Sequence, residues 1–485
     1  MVFNSFAFFV FFPVVTALYF LLPHRGRWLL LLGASCVFYA YFIPKYLLIL
    51  GFTIIVDYFA GILIEKTKGR WRRLSLGFSI AANVGVLALF KYFNFFNGNL
   101  EALVRFLGWN YGISSLALIL PIGLSFHTFQ AMSYTIEVYR GNRKAERHFG
   151  IYALYVMFYP QLVAGPIERP QHLLHQFYEV HNFDYDRITS GLKLMAWGLF
   201  KKTVVADRLA RFVDYIYGAP SQFNGPVLAV ATVYFAFQIF YDFSGYTDIA
   251  IGAARVMGFE LMRNFDCPYH AKSIAEFWRR WHISLSSWFR DYLYFPLGGN
   301  RVPKIRWHIN IVIVFVVSGL WHGANWTYII WGSLHSFFLV FGAATQRVRA
   351  QLVQAVRLAH YPRVHSLTKV LATFLLVCFA WIFFRANSFH HAIQICGGLA
   401  SGWGDLFHPG RLMRDRNGAV LGFKIAALMG VVVIELGQLF QKRKNVLARI
   451  ASQPWWFRWP LYYGIVGAIF FFHVRDGDRF IYFQF

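Results

Sequence analysis

The sequence predicts an all-α protein that crosses a membrane many times. Hydrophobic residues make up 58% of its 485 residues and charged residues only 14%, whereas soluble domains carry about 25% charged residues. Apolar runs recur along nearly the whole chain, at lengths near the roughly 20 residues that a membrane helix needs. Aromatic residues reach 20%, which suits many membrane–water interfaces, where Trp and Tyr rings settle.

The charge balance fits the same class of protein. The chain has 47 Lys and Arg against 22 Asp and Glu, a formal net charge of +25. These basic residues stand mostly in short loops between apolar runs, which is the cytoplasmic bias of membrane proteins. We therefore expect contact with membrane lipid and no nucleic-acid partner. The cysteines show no CxxC spacing, so neither a disulfide framework nor a zinc site is predicted.

The first five apolar runs indicate one orientation. Arg25 and Arg27 follow the first run, and the basic segments 66–73 and 140–147 follow the third and the fifth. Basic loops favour the cytoplasmic side. The N-terminus is therefore predicted to face outward.

Later runs add to the count of membrane helices. The segment 151–164 is short and contains Pro160, and we predict that it is re-entrant, which requires cover by protein or a watery cavity. Further apolar runs lie near 190–206, 227–241, 309–321, 326–344, 367–384, 420–440 and 458–473. The sequence predicts about ten to thirteen membrane helices, with short interfacial or re-entrant helices beside them.

His322 is the first candidate for chemistry. It stands in the segment SGLWHGANW between two apolar runs that leave little room for an exposed loop. We therefore expect it at membrane depth, where an ionisable group is costly and usually functional. Gly319 and Gly323 would allow close backbone approach there. A neutral imidazole can remove a proton from a hydroxyl, but a histidine that ties two helices together by a hydrogen bond would look the same.

His282 is the second candidate. It ends the segment SIAEFWRRWH, in which Ser273 and Glu276 have the spacing of a capping box, so a helix should begin there. That helix is too charged to span a membrane and should lie along an interface or line a cavity. Trp278 and His282 are four residues apart and are predicted to share one helix face. The alternative is an interfacial helix with an incidental histidine.

Two carboxylates form the third candidate. Asp242 and Asp248 stand in the segment YDFSGYTD, where Gly245 interrupts an apolar run. This pattern resembles a broken membrane helix around a site. Two acids six residues apart are weak evidence for metal ligation, so a structural kink is favoured and no metal site is expected.

Several long motifs together carry a family resemblance. The chain is similar to the membrane-bound O-acyltransferase family, and most to the bacterial branch that contains the alginate O-acetylation protein. The motifs are FWRRWHISLSSWFRDYLYFPLGGN (277–300), SGLWHGANWTYIIWG (318–332), YDFSGYTDIAIG (241–252), LPIGLSFHTFQAMSYTIEVYRG (120–141) and AGPIERP (164–170). The resemblance covers nearly the whole chain. We therefore expect one polytopic acyltransferase domain over 1–485, with N-terminal spans in 1–110, a motif-bearing core in 111–385, and C-terminal spans and an aromatic tail in 386–485.

The resemblance implies an acetyl-transferring enzyme of the bacterial inner membrane, built around a central tunnel. His322 matches the catalytic histidine of the family and His282 its second histidine. The implied donor is acetyl-CoA or another acyl thioester from the cytoplasm, with no bound cofactor. The implied acceptor is an exported polysaccharide such as alginate, reached directly or through a separate extracytoplasmic acyltransferase protein. Acyl transfer also needs oxyanion donors, for which Trp321, Asn325 and His282 are candidates.

Alternatives remain at this point. The aromatic C-terminal tail contains Tyr482, which would either carry the acyl group transiently or belong to a docking segment for a partner. The reaction could instead be O-acylation of another cell-wall polymer: of peptidoglycan, of cellulose, or of teichoic acid by D-alanylation. A metabolite transporter that uses His322 as a proton relay, or a scaffold of a polymer-export complex, is the rival interpretation.

Overall fold

The computed structural model describes residues 1–404, 431–432, 434–435 and 452–472, and their regular structure is helical throughout. The α-helices of this part of the chain are α1 (Phe6–Leu21), α2 (His24–Ala40), α3 (Tyr46–Lys66), α4 (Gly69–Leu87), α5 (Phe93–Phe106), α6 (Leu124–Arg140), α7 (Phe149–Met157), α8 (Tyr159–Leu162), α9 (Pro170–Leu173), α10 (Tyr185–Leu199), α11 (Asp207–Gly218), α12 (Gly225–Met257), α13 (Ile274–Arg280), α14 (Ile283–Phe289), α15 (Lys304–His322), α16 (Trp326–Ala344), α17 (Gln346–Ala355), α18 (Pro362–Arg385), α19 (Phe389–Leu399) and α20 (Trp455–Phe472). The π-helical turns are Ala88–Tyr92, Phe200–Ala206 and Arg290–Tyr294, and the 3₁₀ turns are Leu174–Tyr178, Pro220–Gln222, Pro268–His270 and Leu358–His360.

Long apolar helices confirm the predicted fold class. Within the described residues, six helices are long and apolar enough to cross a membrane, and α1 is a shorter apolar helix. The six are Tyr46–Lys66, Gly69–Phe106, Gly225–Met257, Lys304–His322, Trp326–Ala344 and Pro362–Arg385. The helix Gly69–Phe106 is continuous because the π-helical turn Ala88–Tyr92 joins α4 to α5. The total of ten to thirteen membrane helices stays a prediction.

The chain divides into two compact units. Unit 1 comprises Met1–Met195 and Tyr246–Arg263. In it, Asp57 of α3 accepts hydrogen bonds from Ser79 and Asn83 of α4, and all three side chains are buried. Buried polar groups are stable when they are paired in this way. The segment 151–164, predicted to be re-entrant, falls on α7, α8 and the residues after them, and is buried.

Unit 2 comprises Ala196–Gly245 and Asn264–Phe485. Glycines bring its helices α15 and α16 together. A Cβ on Gly319 would clash with the backbone oxygen of Tyr328, and one on Gly332 would clash with that of Phe315. Such close approach is open only to a residue without a side chain. The predicted role of Gly319 in close backbone packing is therefore confirmed.

The expected break in the helix around Gly245 is wrong. Helix α12 runs without interruption over 33 residues, and both Asp242 and Asp248 lie within it. The glycine is needed for close packing within unit 2, because a Cβ on Gly245 would lie 2.7 Å from the backbone oxygen of Gly198. Gly245 therefore serves close packing between neighbouring segments.

Candidate functional site

His322 is the last residue of α15. Its side chain is buried, and three aromatic rings surround the imidazole. The ring centroids of Trp321, Trp331 and Phe384 lie 4.9, 5.0 and 5.3 Å from that of His322, each at a steep angle. The tight connection after it depends on Gly323, where a Cβ would clash with the ring of Tyr328. The imidazole is thus held in an aromatic enclosure at a helix end.

His282 lies in a sharp turn between α13 and α14. Ser273 caps α13 as predicted, since its side chain accepts the N–H of Glu276 at 3.1 Å. The helix then ends, because Trp281 is extended and His282 adopts left-handed backbone angles with φ of 43°. The prediction that Trp278 and His282 share one helix face is therefore wrong. Left-handed angles are uncommon for a residue with a side chain and often mark functional positions.

Backbone and aromatic contacts fix this turn. The N–H of Ile283 donates to the backbone oxygen of Asn264 at 2.9 Å, and the Asn264 side-chain oxygen accepts from the Ser284 hydroxyl at 2.6 Å. The ring of Phe243 lies 4.7 Å from that of His282, edge to face. His282 is completely buried. Burial lowers the pKa of His282 to about 3, so its imidazole is neutral at pH 7.

The ring of Trp321 lies near both histidine rings. Its ring centroid is 6.3 Å from that of His282 and 4.9 Å from that of His322. Its indole is buried at 4% exposure. The structure therefore brings three of the residues singled out from the sequence into one buried cluster inside unit 2.

Asn325 has a structural role in the same connection. Its side-chain oxygen accepts the N–H of Thr327 at 3.0 Å and so caps α16, while its amide donates to the backbone oxygen of Asn387 at 3.3 Å. An N-cap of this kind satisfies a helix donor that would otherwise lack a partner. These contacts account for the residue, and its action on an oxyanion stays a prediction.

The carboxylate of Asp242 belongs to a buried ion cluster of unit 2. The Nζ atom of Lys202 lies 2.8 Å from Oδ1 of Asp242 and 2.7 Å from Oδ1 of Asp207. Asp248 lies on the part of α12 that belongs to unit 1 and is half-buried. Among the residues that the structure describes, no group of three or more His, Cys, Asp or Glu side chains could hold a metal ion.

Unit 2 contains a pocket whose lining residues come from α13, α14, the π-helical turn Arg290–Tyr294 and α15. It has a volume of about 180 Å³ and is lined by Trp278, Leu285, Ser286, Phe289, Arg290, Tyr294, Ile311, Val314, Phe315 and Ser318. Ser318 lies one turn before His322 on α15, and Ser286 lies one turn after His282 on α14. The lining therefore includes one residue four positions from each histidine in the sequence. It is mainly apolar, with Arg290 as its one charged residue.

Two functional candidates were missed by the sequence reasoning. Lys202 stands in the apolar run 190–206, and His335 stands in the run 326–344. An ionisable residue inside an apolar run is itself a signal, and it would have singled out both. Tyr482, by contrast, was singled out from the sequence and lies outside the described residues.

Comparison with known proteins identifies the family of the chain. Residues 147–388, which include every member of the histidine cluster, match the model of the membrane-bound O-acyltransferase family. A probable alginate O-acetylase of Pseudomonas putida is 37% identical, over 88% of this chain and 85% of its own length. The corresponding protein of Pseudomonas aeruginosa is 41% identical, over 80% and 72%. A peptidoglycan O-acetyltransferase of Helicobacter pylori is 36% identical, over 81% and 78%.

Proposed function

The chain belongs to the membrane-bound O-acyltransferase family, and we propose that it moves an acetyl group from a cytoplasmic acyl thioester to a hydroxyl group, for O-acetylation of an exported polysaccharide. The names of the relatives support this acceptor class, since they describe O-acetylation of alginate or peptidoglycan. Alginate or a similar exopolysaccharide is favoured because alginate O-acetylases recur among these relatives. The observation that carries the proposal is the buried cluster of His282, Trp321 and His322.

His322 is proposed as the general base. Its imidazole takes the proton of the acceptor hydroxyl while the hydroxyl oxygen attacks the thioester carbonyl carbon. The tetrahedral intermediate then collapses, the new C–O ester bond remains, and the C–S bond breaks. The leaving thiolate takes the proton back from the imidazolium. The surrounding rings of Trp331 and Phe384 exclude water, which would otherwise compete as the acceptor.

The oxyanion of that intermediate needs hydrogen-bond donors. The Trp321 indole N–H and His282 are the best placed candidates, because both rings lie in the same buried cluster as His322. A neutral imidazole carries one N–H donor, so His282 can donate without becoming charged. Asn325 is the less favoured donor, since its side-chain amide already donates to the backbone oxygen of Asn387.

The pocket in unit 2 is proposed as the site of the acyl thioester. Its apolar lining suits an acyl group and a thiol arm, and Arg290 at the pocket suits an anionic part of the donor. The family's tunnel would continue from this pocket through the membrane. Acetyl-CoA is the simplest donor of this chemistry, and no resident cofactor is needed.

The setting of the enzyme is also a proposal. We place the chain in the bacterial inner membrane with its N-terminus outside, because the basic loops 66–73 and 140–147 would then be cytoplasmic. The whole of 1–485 would act as one polytopic domain. A separate extracytoplasmic acyltransferase protein would complete delivery to the polymer. Asp248 is proposed as a supporting residue of the catalytic site.

Tyr482 is proposed either as a transient acyl carrier or as part of a docking segment for that partner protein. A relay requires the phenol oxygen. If Tyr482→Phe leaves acetylation of the polymer unchanged, the relay is wrong and docking is retained.

A deletion experiment tests the proposed function. Cells that lack the chain should lose O-acetyl groups from their surface polysaccharide while the amount of exported polymer stays normal, and re-expression should restore the acetyl groups. Chemical analysis of the ester would identify the acceptor, including peptidoglycan, cellulose or teichoic acid. Loss of the polymer itself would instead favour a scaffold of the export machinery, and unchanged acetylation would favour a transporter.

A further inference from the structure

Trp278 contacts both the pocket and the rings around His322. It lines the pocket from α13. Its ring centroid also lies 5.7 Å from that of Trp331, which in turn lies 5.0 Å from that of His322. Phe315, also at the pocket, packs edge-on against Trp278 at 5.3 Å. The indole of Trp278 therefore bounds the pocket and belongs to the series of ring contacts that leads to His322.

His335 fixes the orientation of that indole. The Nε1–H of Trp278 donates to Nδ1 of His335 at 3.3 Å. His335 is completely buried in α16, and its ring lies parallel to Phe277, with centroids 6.2 Å apart. Because Nδ1 accepts, a neutral His335 carries its proton on Nε2, and this atom has no hydrogen-bond partner in the part of the chain that the structure describes.

A buried histidine in an aromatic setting is costly and calls for an explanation. Its hydrogen bond to Trp278 explains why a histidine is present. Without this acceptor, the indole N–H would turn toward other partners, and this side of the pocket would move. A leucine at position 335 would fill the space without this bond. The polar residue therefore contributes orientation, which apolar packing alone does not provide.

We propose that Trp278 limits the length of the acyl group that the enzyme transfers, and that His335 is the positioning residue that keeps the indole in place. This inference rests on the proposed function, since it assigns the pocket to the donor's acyl end. In this proposal, the limited space beside Trp278 selects acetyl over longer acyl groups. Each extra methylene in an apolar pocket changes selectivity by about 10–200-fold.

The test uses inverted membrane vesicles that contain the full-length chain, with radiolabelled acetyl-CoA, propionyl-CoA and butyryl-CoA as the probes. We would measure the radiolabelled acyl group incorporated into the vesicles, divided by the amount of the protein in them. The incorporation seen with His322→Ala vesicles is subtracted as background. Wild-type protein should prefer acetyl. Trp278→Leu should lower the acetyl-to-butyryl ratio by about tenfold or more. Trp455→Leu, an exposed tryptophan on α20, serves as the matched control and should leave the ratio unchanged.

The His335 variants separate positioning from general damage. His335→Leu should lower the same ratio in the same direction, and His335→Asn, which can place an acceptor near the position of Nδ1, should restore it. An unchanged ratio in Trp278→Leu, with acetyl transfer retained, would overturn the inference and leave the proposed function intact. If Trp278→Leu does not accumulate, the milder Trp278→Phe and the His335 pair decide by the same ratio. Absence of His322-dependent transfer from all three probes in wild-type vesicles would contradict the proposed function itself, and the inference with it.

Discussion

The Nζ atom of Lys202 lies 2.8 Å from Oδ1 of Asp242, and both side chains are buried in unit 2. The same ammonium group lies 2.7 Å from Oδ1 of Asp207, so one cation serves two carboxylates. Asp242 precedes Phe243, whose ring packs against His282 at 4.7 Å. This buried pair therefore fixes the stretch of α12 that supports the second histidine.

Removing the cation should cost more than removing one of its carboxylates. Lys202→Met leaves Asp242 and Asp207 together without the ammonium, and the loss of one partner from a buried pair costs about 3–5 kcal/mol. Asp242→Asn leaves the pair of Lys202 with Asp207 in place and should cost less. The thermal unfolding midpoints of the purified proteins in detergent would rank the two. Midpoints equal to that of the wild type in both variants would mean that the cluster does not stabilise the unit.

The contact between α15 and α16 makes a second prediction. Gly319→Ala would press a Cβ against the backbone oxygen of Tyr328, and overpacking of this kind costs about 1–3 kcal/mol. Gly85→Ala in α4 is the matched control, because a Cβ there meets nothing within 4 Å. A lower unfolding midpoint is expected for Gly319→Ala alone. Similar midpoints for both variants would show that the two helices can separate without cost.

The backbone and the imidazole of His282 can be tested separately. Asn tolerates left-handed backbone angles far better than a β-branched residue does. His282→Asn should therefore keep the unfolding midpoint near that of the wild type while acetyl transfer falls. His282→Val should lower both, since φ of 43° strains a branched side chain. If His282→Asn transferred acetyl at the wild-type rate, the histidine would have a structural role only.

The sequence allowed a good prediction of the fold class, while the roles of the site residues stay a prediction. Long apolar runs predicted the spanning helices, because burial in lipid requires them. The helix start at Ser273 follows from local capping, which depends on residues three apart. His282, Trp321 and His322 were singled out from motifs, and the structure places them in one cluster.

Features that depend on tertiary contacts could not be predicted. The turn at His282 interrupts a helix that its periodicity favours, because Asn264 binds the backbone of the next residue. Helix α12 is continuous through Gly245. The missing side chain there allows the backbone of Gly198 to approach closely. The pairing of Trp278 with His335 joins residues 57 positions apart. Local sequence patterns do not identify partners that are so far apart in the chain.

The most direct test of the account is the O-acetyl content of surface polysaccharide in cells that carry wild-type or His322→Ala protein at matched membrane levels. Trp455→Leu, which replaces an exposed residue, controls for effects of expressing any variant. The account predicts that His322→Ala abolishes acetylation while polymer export stays normal, because the mechanism assigns proton removal from the acceptor hydroxyl to His322. Acetylation at the wild-type level in His322→Ala cells would contradict the assignment of His322 and the mechanism built on it.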